Sequence, residues 1–234
     1  MKCEEFEQAL KNDYSFIKLL TNKNGAKAFV LKHKKFGKKI VLKQFDKYVE
    51  IYDMLKEIDF KNLPNVYDSY KFDDGQVVLE EYIDGITVFD VLETGKYTYK
   101  GASKVIGEVC DALNVIHSKG YIHRDIKPEN VMLTNEGTVK LIDFNASRKY
   151  DFSKSKDTVA LGTIGYASPE QLGLSQSDEK TDIYALGILL NVMLTGVHPS
   201  KHLANGRAGK IVLKCTQIDP NKRYQNTKEL KFAL

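Results

Sequence analysis

The chain is short of several features that would place it early in a large class. It has three cysteines, Cys3, Cys110 and Cys215, widely separated and without a C-x-x-C pair. That argues against a disulfide framework or a zinc site and fits a reducing compartment. No charged-then-apolar leader opens the sequence, and its most apolar helix-like run, Ile183 to Leu194, falls short of the ~18 residues a membrane span needs. The expectation is a cytoplasmic protein with no membrane span. A continuous basic block is also missing: 35 Lys+Arg against 31 Asp+Glu leave a net charge of +4, so no nucleic-acid partner is expected. The lysine-rich LKHKKFGKK, Leu31 to Lys39, has apolar flanks and reads as a hairpin. Internal repeats and low-complexity tracts are absent. What remains is a chain of 234 residues, 42% hydrophobic, long enough for one domain or two closely joined lobes.

The first part reads as strands and turns: Ser15 to Leu20, Ala28 to Lys32, Lys39 to Lys43, Val66 to Phe72 and Gln76 to Glu81, the last two joined at Asp73-Asp74-Gly75. One helix interrupts them. Ile51, Met54, Leu55 and Ile58 fall at i, i+3, i+4 and i+7, with Glu50 at the margin of the stripe. From about residue 87 the pattern turns helical. Ser103 to Lys119 buries Ile106, Val109, Leu113 and Ile116 and stops at Gly120, while Thr181 to Thr195 is apolar nearly all round, as a central buried helix would be. The order suggests an α+β architecture, a small sheet-rich lobe followed by a larger helical one with the chemistry between them.

The most informative stretch is YIHRDIKPENVML, residues 121 to 133. His-Arg-Asp-x-Lys-x-x-Asn fixes five residue types, a pattern that chance produces in a chain of this length less than roughly once in ten thousand. Eighteen residues after Asp125 comes Asp143, in LIDFNASRK. The interval leaves room for Val131 to Leu133 and Val139 to Ile142 to pair across Asn135-Glu136-Gly137, returning both carboxylates to one place.

These residues resemble the catalytic loop and metal-binding stretch of eukaryotic-like, Hanks-type Ser/Thr protein kinases, in a compact form. The resemblance implies a bilobal kinase-like fold over 1–234, with an N-lobe of about 1–82, a hinge of 83–86 and a C-lobe of 87–234. It implies Asp125 as the group that steers the proton of the substrate hydroxyl, Lys127 beside the transferred phosphoryl group, and Asn130 and Asp143 as magnesium ligands, with manganese as an alternative ion. IVLK, ending at Lys43, looks like the strand of the phosphate-binding lysine, and Glu50 is the helix carboxylate chosen as its partner. VVLEEYIDG is similar to the segment joining the lobes, where backbone groups of Glu81 and Ile83 would meet adenine. Leu20, Ala28, Val41, Met132 and Ile142 would line the ATP pocket. Glu80 would then be the gatekeeper, and a carboxylate there needs a partner or water, or else the register is off by one. GTIGYASPEQ resembles the end of an activation segment, with Thr163 bridging Asp125 and Lys127, Glu170 pairing with Arg223, and Asp182 bracing the catalytic loop.

The implied activity is transfer of the γ-phosphate of Mg·ATP to Ser/Thr hydroxyls of protein substrates, with autophosphorylation at Ser153, Ser155 or Thr158 and a phosphate there pairing with Arg124. Two departures keep a pseudokinase open, a module that binds nucleotide or a partner without transfer. The glycine-rich loop is degraded, retaining Gly25 with Thr21, Lys23 and Ala26 near the usual positions, and Lys23 or Lys27 could compensate by charge. Asn145 replaces the glycine of Asp-Phe-Gly, at a cost of roughly 1 to 2 kcal/mol if that position needs a positive φ. A small-molecule phosphotransferase of similar fold is the third reading, disfavoured by the Ser-Pro-Glu motif.

Overall fold

The computed structural model describes residues 8, 10–23, 25–73, 75–151, 165–172 and 176–234. The chain forms two compact units, one of residues 1–60 and 64–83, the other of 61–63 and 84–234.

The first unit is a five-stranded antiparallel sheet, β1 (Tyr14–Lys23), β2 (Ala26–His33), β3 (Lys39–Phe45), β4 (Val66–Phe72) and β5 (Gly75–Glu81), in the order β1-β2-β3-β5-β4. Each connection within β1-β2-β3 and β4-β5 is a hairpin, and the lysine-rich stretch is the second of them, turning at Gly37 with φ 69. Period-two alternation gives the sheet two faces. Leu42 and Val77 bury one face with Phe29, Leu31, Tyr70, Phe72 and Leu79. The pairings Ala28↔Lys43, Val30↔Val41, Val41↔Glu80 and Lys43↔Val78 put those six residues on the other. Helix α1 (Ile51–Leu55) is shorter than the sequence stripe implies. Its last turn tightens, Glu57 N–H bonding to Met54 O and Ile58 N–H to Leu55 O, so Ile58 lies past its end. The buried residues are Ile51, Tyr52 and Leu55.

The second unit is mainly helical: α2 (Val88–Thr94), α3 (Tyr99–Ser118), α4 (Glu179–Thr195), α5 (Gly206–Cys215) and α6 (Thr227–Ala233). Three short strand pairings accompany them, with β6 (Gly85–Thr87), β7 (Tyr121–Ile122), β8 (Val131–Thr134), β9 (Val139–Leu141) and β10 (Arg148–Lys149). Helix α3 stops as its sequence requires: Gly120 takes φ 78 and donates to His117 O. Helix α4 is the central one, with Ile183, Leu186, Leu189, Leu190 and Met193 essentially inaccessible. It also buries Asp182 and Asn191. Asn191 is satisfied by Val197 O, His202 O and Ala204 N–H, which fixes the loop after the helix. Among the described residues no helix is long and apolar enough to cross a membrane.

Candidate active site

The segment 123–147 is pinned at both ends and in the middle. β7 pairs with β10, Ile122 against Arg148, which brings the two ends together. β8 and β9 form the expected hairpin across Gly137, with Val131 opposite Leu141. One more ladder bond, Ile142 N–H to Asn130 O at 2.9 Å, sets Asp143 directly after the residue paired with Asn130. Met132, Asn130 and Ile142 share a face of this hairpin, while Val131 and Leu141 fill the core on the other.

Two side chains converge on one oxygen of Asp125. Lys127 Nζ lies 2.7 Å from Oδ2, and Asn130 Nδ2 donates to the same atom at 3.0 Å and to Asp125 O at 2.8 Å. With both amide hydrogens spent on Asp125, Asn130 offers its Oδ1 as an oxygen for a cation. Asp143 Oδ1 is buried and accepts no hydrogen bond among the described residues. An amide oxygen and an orphaned carboxylate oxygen, carried on neighbouring positions of one hairpin, suit magnesium, which takes one or two protein oxygens and completes its shell with water and phosphate. The residues present therefore fit the ion the resemblance implies.

The loop is held by a buried carboxylate the sequence had marked. Asp182 Oδ1 accepts from Arg124 N–H at 2.8 Å, and Oδ2 from His123 N–H at 2.9 Å and from His117 Nε2 at 2.8 Å. Burial pushes its carboxyl up, but the hydrogen bond and charge of His117 and the Arg124 amide outweigh burial and hold it below its usual range. Arg124 pays for this with a φ of 70, kept in place from the other side by Gln171 Nε2 bonding to its carbonyl at 2.8 Å. His123 is neutral because burial, above all, drives its pKa down against the pull of Asp182, Asp125 and Asp143. Its ring accepts Asp125 N–H at Nδ1, 3.3 Å, and donates from Nε2 to Ile142 O, 3.2 Å, linking the two halves of the loop.

The strain near Asn145 falls elsewhere than expected. Among the described residues, Arg124 and Asp143 alone take positive φ without being glycine; Asp143 has φ 63. Asn145 lies in an ordinary turn, closed by Ser147 N–H to Phe144 O at 3.0 Å, while the Phe144 ring packs edge-on against His123 at 5.0 Å. Asparagine there carries no left-handed penalty, which removes it as an argument for an inactive protein. Asn145→Gly should lower stability by about 0.4–1 kcal/mol, through the freer unfolded chain, and leave turnover within about twofold. A denaturation midpoint and initial rates check this; a clear rise in turnover would return the strain to Asn145.

In the first unit the structure corrects the choice of Glu50. Glu50 is exposed at the N-cap position of α1, whereas Lys43 Nζ lies 2.8 Å from Glu80 Oε1 and 3.1 Å from the Tyr52 hydroxyl. The carboxylate that seemed out of place at the gatekeeper position is the lysine's ion-pair partner. Ala28 and Val41 are buried on the same face as Lys43, and Ile83 is buried just past β5. Leu20 differs: it sits in a bulge of β1, 48% exposed, and Thr21 stands opposite Ala28. Glu81 N–H is committed to Asn65 O at 2.8 Å, so its carbonyl is the group it could turn to adenine. Gly25, at φ 72, is needed for its own turn: a Cβ there would fall 2.0 Å from Asp46 Oδ2. The Asp46 carboxylate is the movable end of a side chain, so it is the left-handed backbone that calls for glycine there.

Glu170 and Arg223 make the expected buried pair, two parallel bonds of 2.6 and 3.0 Å, with Thr181 Oγ1 also donating to the carboxylate. Burial raises the Glu170 pKa, and the hydrogen bonds and charge of Arg223 override it, leaving the carboxyl below its usual value. Thr163, Ser153, Ser155 and Thr158 lie outside the described residues.

Sequence comparison supplies the last observation. A family model described as the protein kinase domain matches residues 12–232. A probable serine/threonine-protein kinase of Clostridium perfringens is 34% identical over 72% of the chain. The serine/threonine-protein kinase PknB of Mycobacterium tuberculosis is 33% identical over 67%, and a probable myosin light chain kinase of Dictyostelium discoideum is 30% identical over 80%. The matches span 28%, 29% and 54% of those relatives, so the chain corresponds to part of each.

Proposed function

The chain belongs to the protein kinase domain family, and from that premise we propose that it transfers the γ-phosphate of ATP to serine and threonine hydroxyls of protein substrates. The observation that carries the proposal is the convergence on Asp125, with Lys127 and Asn130 on Oδ2, and an orphaned Asp143 oxygen one residue after the backbone partner of Asn130. In this reading Asp125 orients the attacking hydroxyl and takes up its proton. Lys127 offsets charge on the moving phosphoryl group. Asn130 and Asp143 would hold magnesium, or manganese, which would supply positive charge to offset that of the phosphates. Lys43 would draw the α- and β-phosphates; Ala28, Val41 and Ile83, with Leu20 at the bulge, are the first unit's candidates for contact with the nucleotide base, and Met132 and Ile142 the second unit's.

The proposal takes 1–234 as one kinase domain, joined through 83–86. It also places the chain in the cytoplasm, which the free, buried thiols of Cys110 and Cys215 support. Autophosphorylation at Ser153, Ser155 or Thr158 belongs to it as well. The alternative, nucleotide binding without transfer, draws on the glycine-poor β1-β2 hairpin. Labelled ATP with a generic protein substrate decides between them: phosphoserine and phosphothreonine are expected, along with added mass on the chain itself. Tight ATP binding with no label transferred would establish the alternative.

A further inference from the structure

We propose that Glu80 is the positioning residue for Lys43, so that the carboxylate holding the phosphate-binding lysine comes from strand β5 of the sheet and not from helix α1. The inference rests on the phosphotransfer role given to Lys43 above. The two charged side chains are 10% and 6% exposed, with Nζ and Oε1 2.8 Å apart. With so little water around it, the attraction between the two groups is stronger than for an exposed pair. Tyr52 completes the setting: its hydroxyl accepts from Nζ at 3.1 Å and its ring lies 5.3 Å from the ammonium. Tyr52 in turn stacks on Phe45, which shares the Lys43 face of β3. Helix α1 thus contributes a tyrosine to the lysine, while Glu50 sits exposed at its start.

The pairing is written into the sheet register. Val41 stands opposite Glu80 and Lys43 opposite Val78, so Lys43 and Glu80 are diagonal neighbours on one face of two hydrogen-bonded strands. A carboxylate carried on a helix can be withdrawn by moving the helix. The backbone that carries Glu80 is fixed by the β3-β5 ladder. Lys43 therefore keeps its carboxylate partner wherever α1 stands, and a movement of α1 would take away only the Tyr52 contacts.

The test compares ATP and adenosine binding by calorimetry, together with steady-state transfer, for wild type, Glu80→Gln, Glu50→Gln, Lys43→Met and the Lys43→Met/Glu80→Gln double variant. Glu80→Gln should weaken ATP about tenfold and lower kcat/KM about a hundredfold. Adenosine, which has no phosphate for Lys43 to hold, should bind within about twofold of wild type. In the Lys43→Met background Glu80→Gln should cost nothing more, and Glu50→Gln should lose at most about threefold. Glu80→Asp, which keeps the charge, should recover part of the loss and serves if Glu80→Gln folds poorly. Unchanged ATP binding by Glu80→Gln overturns the proposal. So does a parallel fall for ATP and adenosine, which would make Glu80 a fold residue, or a larger loss from Glu50→Gln. If wild type binds no ATP, the phosphotransfer reading fails and this inference with it, an outcome visible before any substitution is made.

Discussion

Replacing Asp125 with asparagine is expected to lower phosphoryl transfer by about 10² to 10⁴-fold, the range typical for loss of a general base. The substitution keeps the shape of the side chain and removes its charge. Lys127 Nζ, 2.7 Å from Oδ2, then loses its counter-ion and is freer to move from the position it needs beside the phosphoryl group. The backbone bonds of the loop, to Asp182 and Gln171, do not involve the Asp125 side chain, so the variant should fold with a midpoint near that of wild type. ATP affinity should change little, because the lost interaction acts on the hydroxyl and the transition state. Initial rates with labelled ATP, alongside nucleotide titration, measure both. Transfer at the wild-type rate would remove Asp125 from the proposed role.

Asp182→Asn should have the second-largest effect, on stability and rate together. Three N–H groups point at this carboxylate, and an amide has only one oxygen to offer them. At least one buried donor is left facing another donor, at about 1–3 kcal/mol for each unsatisfied group. The φ of 70 at Arg124 is a strained state that persists only while its surroundings enforce it, at about 1–3 kcal/mol. Loosening one of its two anchors should let the loop relax and move Asp125, for which a tenfold to about hundredfold loss of kcat is the expected scale. Urea midpoints and kcat measured on the folded fraction separate the two effects. A lower midpoint with unchanged kcat would confine Asp182 to the fold.

The same groups set the response to acid. His123 has a folded pKa below the ordinary histidine value of about 6.5. The unfolded chain therefore takes up this proton first as pH falls. Its contribution to stability is complete above about pH 6.5 and is lost below it. Asp182 and Glu170 are also depressed; their contributions persist down to the ordinary carboxylate range near pH 4 and are lost as pH falls through their lower folded values. Protonated His123 would also carry a hydrogen at Nδ1, where it now accepts Asp125 N–H. Activity should decline along with stability on the first acid limb. A denaturation midpoint that stays level from about pH 7.5 to 5 would contradict a neutral buried His123.

Much of this protein is settled along the chain itself. The five strands, the helices around Ile106 and Leu186 and the turn at Gly137 follow from alternation, helical spacing and glycine placement, each decided by near neighbours. The His-Arg-Asp-x-Lys-x-x-Asn stretch identified the catalytic loop because its residues lie within eight positions and fold onto one another, Lys127 and Asn130 onto Asp125. Glu170 with Arg223 and Asp182 beneath the loop were legible from the family pattern. Three points were not. The partner of Lys43 is set by which residue of β5 stands diagonal to it, a matter of register between strands thirty-odd positions apart, so the helical stripe pointed to Glu50 where the sheet supplies Glu80. Leu20 faces as it does because a bulge displaces it by one position. The left-handed residue of LIDFNASRK is Asp143 and not Asn145, because backbone angles there answer to the ladder bond at Ile142 and the turn at Ser147. Local spacing marked the groups proposed to carry the chemistry; long-range pairing, which no local pattern encodes, decided what holds them.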